Sequence, residues 1–183
     1  MRRSLLFISL TFSIVCLSTA PAMAQEGGPR LTAGFPAYVA HSNDRAGPKD
    51  WNDGWFHNEG VFVDLSWPVY RLGTTTDLRA GLTGGGFDNS ISDTSVFFGG
   101  MAEFETHVTD RLAFSLGTYA GVITGYETSP APAIAPYIGT AYAVVEKLEL
   151  GLRGFWLPAK TIGGEELASS DAYVFAVTVG TRF

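Results

Sequence analysis

Cysteine is almost absent from this 183-residue chain. The single cysteine, Cys16, lies inside the first 24 residues, where Arg2 and Arg3 precede a short apolar core and 22–24 reads Ala-Met-Ala. This is the pattern of a cleavable export signal, so we predict that residues 1–24 are removed. The exported domain, 25–183, then has no thiol. A disulfide, a cysteine-ligated metal and a cysteine nucleophile are excluded for it.

Long apolar runs are also missing after the signal, and basic residues are few. No stretch reaches the roughly 18 apolar residues that a membrane-spanning helix needs. Two of the 12 Lys and Arg fall in the signal, which leaves 10 against 18 Asp and Glu, a net charge of −8. An acidic chain without a basic stripe binds a phosphate backbone poorly, so we predict no nucleic-acid partner. We also predict no metal and no cofactor.

The chain does contain many aromatic residues and glycines, in segments where apolar and polar residues alternate. Alternation with a period of two indicates a strand with two different faces. It predicts eight strands, at 31–41, 58–67, 77–86, 94–105, 111–126, 134–145, 148–157 and 172–183.

Eight strands of about ten residues predict an all-β fold, an eight-stranded antiparallel transmembrane β-barrel of outer-membrane type. The alternative with the same strand count is a secreted, lipocalin-like barrel, whose lumen is buried and whose outer face is exposed to water.

The connections favour the membrane barrel. The longest polar segments follow odd-numbered strands, whereas the turns at 107–110 and 146–147 are tight and only the reversal at 68–76 is roomier. Small outer-membrane barrels carry long loops outside and short turns in the periplasm. The terminal Phe183 resembles the signal that the barrel assembly machinery reads. We therefore expect a monomer in the outer-membrane bilayer.

Groups suited to acyl chemistry occur where two predicted strands end. His41 ends the first strand, and Asp88, Asn89 and Ser90 follow the third. The predicted topology brings both strand ends to the same outer rim. An imidazole can take a proton from a hydroxyl while a third group orients the ring, as in acyl transfer. The same residue types are also ordinary at strand ends.

Two other histidines are weaker candidates. His57 lies at the far end of the first long loop, and His107 falls in a predicted periplasmic turn, away from the rim group.

Glycine and the sparse charge predict a narrow, nearly uncharged lumen. One interpretation is an apolar bore that a linear acyl chain fills, with a gain of about 0.8 kcal/mol per buried methylene. The other is that glycine makes room for side chains of the opposite wall. The glycines concerned are at 81, 84–86, 99, 100, 117 and 121.

An ordered set of short motifs resembles the PagP-type lipid A palmitoyltransferases over most of the exported domain. The set is Tyr-Val-Ala-His at 38–41, Phe-Asp-Asn-Ser at 87–90, Gly-Val-Ile-Thr at 121–124, Pro136, and Trp-Leu-Pro at 156–158. The resemblance implies an eight-stranded barrel with an internal cavity that measures an acyl chain. It also implies that palmitate moves from a phospholipid donor to lipid A, the acceptor in lipopolysaccharide, at the outer surface.

By position, the resemblance implies that His41 and Ser90 are the essential pair. Asn89 stands where the family has an aspartate, and Asp88 lies one place earlier. An amide can orient an imidazole but cannot offset its charge, so either residue is a candidate for that role.

The resemblance also concerns prolines and the N-terminus. Pro36 matches a family proline, and Pro136 and Pro158 resemble the pair that opens a lateral gap for lipid, since proline removes ladder hydrogen bonds. The family's amphipathic periplasmic helix is missing from 25–32, and so is its proline before the second strand, near 55–58.

Three functions remain open on the sequence alone. The first is an outer-membrane acyltransferase acting on lipid A, and the second is a lipid A deacylase or esterase. The third is a non-catalytic, structural barrel.

Overall fold

The computed structural model describes residues 28–41, 54–55, 59–88, 94–125, 130–158 and 171–183. Within these ranges no helix is long and apolar enough to cross a membrane. The strands are β1 (Arg30–His41), β2 (Gly54–Trp55), β3 (Gly60–Leu72), β4 (Thr76–Asp88), β5 (Thr94–His107), β6 (Leu112–Ile123), β7 (Ala131–Val145), β8 (Leu148–Leu157) and β9 (Ala172–Arg182).

Eight long strands form a closed antiparallel barrel. Each pairs with the next along the chain, and β1 closes the barrel on β9 from Arg30↔Arg182 to His41↔Ala172. The two-residue β2 adds to the edge of β1 opposite Tyr38. Closure leaves no long edge strand for other chains to pair with. The eight-stranded antiparallel barrel predicted from the sequence is confirmed.

The two ends of the barrel differ. At the turn end lie both termini of the barrel and the short connections 73–75, 108–111 and 146–147. At the other end, the loop end, β1, β4, β6 and β8 finish.

The sequence predicted a longer connection at 68–76, and this prediction is wrong. β3 runs on to Leu72 and β4 starts at Thr76, so the turn has only three residues. Gly73 supplies its positive φ of 66°, which other residues rarely adopt. Pro68 stays within β3 because the register to β4 shifts beside it, and a bulge is one of the few places where a strand tolerates proline.

The outer face of the barrel is apolar. Alternate side chains of every long strand are exposed there, among them Phe98, Leu116, Ile138, Leu152 and Phe175. Charged side chains lie on the opposite parity, inside. An apolar exterior around a polar interior is the arrangement of a transmembrane barrel, so the secreted, lipocalin-like alternative is wrong.

Candidate functional site

Two of the four candidate catalytic residues are part of the described structure, and both lie at the loop end. His41 is the last residue of β1, where its backbone pairs with Ala172. Asp88 is the last residue of β4; its amide donates to the Glu59 carbonyl at 2.8 Å. Its exposed carboxylate accepts a hydrogen bond from the Thr94 hydroxyl at 3.4 Å.

The other two candidates, Asn89 and Ser90, lie outside the described residues, as does His57. Asp88 and Thr94 form the last pair of the β4–β5 ladder, so they fix the two ends of the connection that carries Asn89 and Ser90. The structure therefore anchors this connection at the loop end but leaves the contacts of its side chains to experiment.

The register relates the strand that carries His41 to the one that carries Asp88. The ladder between β1 and β3 ends at Gly34↔Phe62. Continuing that register sets Gly60, the first residue of β3, opposite Pro36, so 37–41 project beyond β3. His41 and Asp88 are thus at the same end of the barrel, with β3 between their strands.

His107 lies at the opposite, turn end, as predicted. Its Nε2 is 3.4 Å from Glu105 Oε1 and 3.8 Å from Asp77 Oδ2. These three side chains could hold a metal ion, because their ligand atoms all lie within 4.8 Å of one another. Both carboxylates already have an arginine beside them. Arg71 lies 3.4 Å from Asp77 and Arg182 lies 3.0 Å from Glu105, so their negative charges are compensated without a metal ion.

Ion pairs fill the half of the lumen nearer the turn end. Arg30 bonds both Glu103 and Glu105 across the barrel. Arg182 bonds Glu105 as well, and it also bonds Glu149. Because Arg30 begins β1 and Arg182 ends β9, both strands of the closing seam are tied to β5. Buried charges need such partners, since an unpaired one in a low-dielectric interior is costly.

A layer of aromatic rings closes the middle of the lumen. The ring of Tyr119 stacks on those of Tyr137 and Phe155, with centroids 4.9 and 5.6 Å apart. The Tyr119 hydroxyl donates to Asp64 Oδ2 at 2.6 Å, and Arg153 bonds the same carboxylate. The Arg153 guanidinium also lies 4.9 Å from the centre of the Tyr137 ring. We call Tyr119, Tyr137 and Phe155 the aromatic floor.

The prediction of a nearly uncharged lumen is therefore wrong for the turn-end half. The sequence did carry the signal, because the charged residues occupy the same parity of their strands as the other buried side chains. They are Arg30, Asp64, Asp77, Arg79, Glu103, Glu105, Glu149 and Arg153.

The glycines do not open a bore along the whole barrel. A Cβ on Gly117 would lie 2.5 Å from Cζ of Tyr137, and one on Gly34 would lie 2.0 Å from the Phe62 ring. At these positions glycine makes room for the ring of the residue paired with it on the neighbouring strand, and not for side chains of the opposite wall as the second interpretation had it. Gly84, Gly86 and Gly100 belong to the outward parity of β4 and β5 and so do not line the lumen.

The half of the lumen above the aromatic floor has a different character. No charged side chain lines it among the residues that the structure describes. Thr83 and Ser95 are its buried hydroxyls, on β4 and β5. On β1, β6 and β7 the buried side chains are short and apolar: Ala37, Val39, Ile123, Ala131, Ala133 and Ala135.

Among the described residues, the ladder between β7 and β8 ends early beside these short side chains. It stops at Tyr137↔Phe155, whereas β7 continues for six more residues toward the loop end. Of these six, 134–136 face the end of β8 and 131–133 face positions outside the described residues; the described ladder of all six is with β6. We call this interruption the β7–β8 gap. Pro136 lies where it starts and Pro158 directly follows β8, so the prolines from which the sequence predicted a lateral opening lie at the end of this ladder; the opening itself stays a prediction.

Two prolines of β7 are placed so that the gap forms without disturbing the other ladder. The Ala143 amide donates to the Arg111 carbonyl at 2.8 Å, on the β6 side. Neighbouring residues of an antiparallel strand direct their backbone groups to opposite sides, and the β6–β7 register is unbroken. Odd-numbered residues of β7 therefore bond β6, and Pro132, Ile134 and Pro136 direct their backbone groups toward the β8 side, where Pro136 lies at the end of the ladder. Proline has no N–H, so only Ile134 presents a donor there.

Comparisons with known proteins show the fold. No protein-family model matches the sequence, and no curated protein matches it. Among solved structures, the outer membrane enzyme PagL aligns with 82% of this chain and 97% of its own at a TM-score of 0.53 and 10% identity. Neisserial surface protein A aligns with 86% and 98% at 0.53 and 14% identity. The attachment invasion locus protein Ail of Yersinia pestis aligns with 86% and 99% at 0.52 and 10% identity. At such identities the likeness concerns architecture, and the chain has the fold of the small outer-membrane β-barrels.

Proposed function

We propose that this protein is an outer-membrane acyltransferase that moves a fatty acyl chain from a phospholipid to lipid A. The observation that carries the proposal is the β7–β8 gap beside an apolar half-lumen. In a bilayer every backbone polar group needs a partner, so an interrupted ladder is costly and a purely structural barrel has no use for one. The lumen of a simple outer-membrane barrel is also polar throughout. A lateral opening onto short apolar side chains is suited to an acyl chain.

The candidate catalytic groups are at the same end of the barrel as the gap. In the proposal His41 is the general base, and Ser90 is the nucleophile or the hydroxyl that positions the acyl carbonyl. Asp88 or Asn89 orients the imidazole. The last pair of the β4–β5 ladder supports this arrangement, because it anchors the Asn89–Ser90 connection at the loop end.

The aromatic floor sets the length of acyl chain that we expect. On β6, Ile123 lies four residues beyond Tyr119, on the order of 13 Å at about 3.3 Å per residue. This depth is shorter than an extended palmitoyl chain. We therefore expect the transferred chain to be shorter than palmitate, although the resemblance alone implied palmitate.

Mass spectrometry of lipid A tests the proposal directly. Cells that produce the protein should contain lipid A heavier by one acyl group, and cells producing the His41→Ala protein at the same level should not. Lighter lipid A together with free fatty acid would establish a deacylase instead. Unchanged lipid A in every strain would leave the non-catalytic barrel and end the enzymatic proposal.

A further inference from the structure

The seam between β1 and β9 sets two arginines opposite each other. Arg30 begins β1 and Arg182 ends β9, and the two are directly paired at the turn end of the ladder. Both side chains point into the lumen, where each bonds Glu105. Like charges on directly opposed residues of an antiparallel pair destabilise the pairing. The ladder that closes the barrel therefore contains a repulsive pair, and no other pair of this described ladder joins two charged residues.

The opposite wall of the lumen contains a pair of the other sign. Asp77 on β4 and Glu105 on β5 are also directly paired, and both are buried. β5 is remote from the seam around the barrel, since β3 and β4 separate it from β1 and β6, β7 and β8 separate it from β9. Two opposed carboxylates repel each other as two guanidiniums do. Each pair is thus unfavourable by itself, and the two pairs attract across the lumen.

Glu105 joins the two pairs. Its Oε2 accepts a hydrogen bond from Arg30, and its Oε1 accepts one from Arg182 at 3.0 Å. Glu149 on β8 completes a ring of alternating charges, because it bonds Arg182 and lies 3.8 Å from Arg30. The two short bonds that Arg30 makes to carboxylates both go to β5, to Glu103 and Glu105. β8 can therefore neutralise Arg182 before the barrel closes, whereas Arg30 depends on β5.

We infer that Glu105 is a latch for closure of the barrel. β1 and β9 pair stably only after β5 has joined the wall, because this strand delivers the carboxylate that separates the two arginines. Pairing of the terminal strands before that point sets Arg30 opposite Arg182 without compensation. So does pairing of β1 in one chain with β9 in another, which is the hazard of free strand edges. The latch acts on assembly and is independent of the chemistry proposed for the loop end.

Chain connectivity favours the same order of events. β4 and β5 are consecutive along the chain, whereas β1 and β9 are the first and last strands of the barrel. Joining the two ends of a chain has a larger entropy cost than joining neighbours. The charges therefore reinforce an order in which the terminal strands pair last.

Folding of the full chain from urea into lipid vesicles tests the latch. In a Cys16→Ser background, Ala33→Cys with Val179→Cys reports closure of the seam, because these residues are directly paired on β1 and β9. In a second protein, Ala80→Cys with Ala102→Cys reports pairing of β4 with β5. Oxidation at successive times during folding gives the rate at which each disulfide forms.

Glu105→Gln should slow the seam disulfide at least about fivefold, because the two arginines then meet without their carboxylate. The β4–β5 disulfide should form at least as fast as before, since the repulsion from Asp77 is removed. Asp64→Asn is the matched control. It removes a buried carboxylate that bonds Arg153 and should change both rates by the same factor. An unchanged seam rate in Glu105→Gln would overturn the inference.

Removal of one seam arginine distinguishes a latch from a simple loss of ion pairs. Adding Arg182→Gln to Glu105→Gln abolishes the repulsion, so the seam rate should return to within about twofold of that of the unchanged protein. If the ion pairs only add stability, the double variant will close no faster than the single one, which refutes the latch.

Arg182→Gln alone provides the test in case Glu105→Gln does not fold. Glu105 then keeps its bond to Arg30, and the repulsive pair is gone. The seam disulfide should form at least as fast as in the unchanged protein, while the β4–β5 disulfide keeps its rate. A slower seam in this variant would show that the paired arginines assist closure, contrary to the inference.

Discussion

At the scale of single residues, the structure is governed by where charged side chains can go. A strand in lipid has one face in hydrocarbon, so each charge must point inward, and inside the barrel it must find an opposite charge. Arg153 shows the result. It is buried at the level of the aromatic floor, where it bonds Asp64 and lies over the ring of Tyr137.

Replacing Arg153 by methionine should destabilise the barrel strongly. The change leaves the Asp64 carboxylate buried without its cationic partner, and such a loss costs about 3–5 kcal/mol. Urea unfolding in lipid vesicles measures it. Arg111→Met, in an exposed turn, is the control and should change stability by about 0.5 kcal/mol or less. Adding Asp64→Leu to Arg153→Met should recover much of the loss; a double variant as unstable as the single one would contradict this account.

Glycine substitutions should separate the two roles of glycine in the wall. Gly117→Ala sets a Cβ 2.5 Å from the Tyr137 ring and should destabilise by about 1–3 kcal/mol through overpacking. Gly84→Ala, whose nearest contact would be 3.5 Å, should be neutral or stabilising by up to about 1 kcal/mol because it restricts the unfolded chain. The same unfolding assay reports both, and equal effects would refute the close approach of Tyr137 to Gly117.

At the scale of elements, the interrupted ladder between β7 and β8 distinguishes this barrel from a uniformly paired one. The other long ladders extend further toward the loop end, except that of β1 with β3, which stops at Gly34↔Phe62. There the short β2 covers part of the β1 edge at Tyr38 and Val39. Beyond Tyr137, the edge of β7 that faces β8 has no such cover among the described strands.

Closing the β7–β8 gap with an engineered disulfide should stop the lipid reaction. Ala135→Cys with Leu157→Cys places two thiols where continuation of the register would pair β7 with β8. The predicted exported domain has no cysteine of its own, so the pair is unambiguous. Oxidation should reduce acyl transfer at least about tenfold, and reductant should restore it, because in the proposed function lipid enters the half-lumen through this wall.

The control disulfide belongs in a wall that is already closed. Gly100→Cys with Ala120→Cys joins directly paired residues of β5 and β6 at the same height, away from the gap. Oxidation of this pair should leave transfer unchanged. If both disulfides abolish transfer, loss of flexibility and not closure of the gap explains the effect.

At the scale of the whole molecule, the barrel is a plugged cylinder with two different halves. Ion pairs occupy the turn-end half, and stacked rings close the middle. Apolar side chains line the rest, short ones on β1, β6 and β7 and larger ones elsewhere, such as Phe97 and Leu157. The ion pairs of the turn-end half hold the strands in register. The apolar half at the loop end lies beside the β7–β8 gap. This division leaves no continuous channel through the described barrel at mid-height.

The protein should therefore conduct no ions. In planar bilayers, purified protein should give no stepwise increase in conductance, because the aromatic floor and the Arg153–Asp64 pair block the lumen at mid-height. A porin inserted in the same bilayer is the positive control. Reproducible conductance steps from the purified chain would show that the lumen opens, contrary to the packing described here.

Much of this architecture could be predicted from the order of residues. Period-two alternation depends only on local sequence, and in lipid it fixes which face of each strand turns outward, so the number and direction of the strands followed from it. Pro136 likewise marked where the β7–β8 ladder ends among the described residues, since a missing N–H is a property of the residue itself. His41 and Asp88 were placed at one end by strand direction alone, whereas a catalytic role for them, and for Asn89 and Ser90, is a prediction for experiment.

The contents of the lumen were decided only by the tertiary structure. Whether a glycine leaves a cavity or admits a ring depends on what stands on the next strand or on the opposite wall, and these residues are far apart in the chain. Gly117 and Tyr137, Arg30 and Glu105, and Arg153 and Asp64 meet because closure fixes the register between strands. Local alternation determined the wall of this barrel, and long-range register determined what the wall encloses.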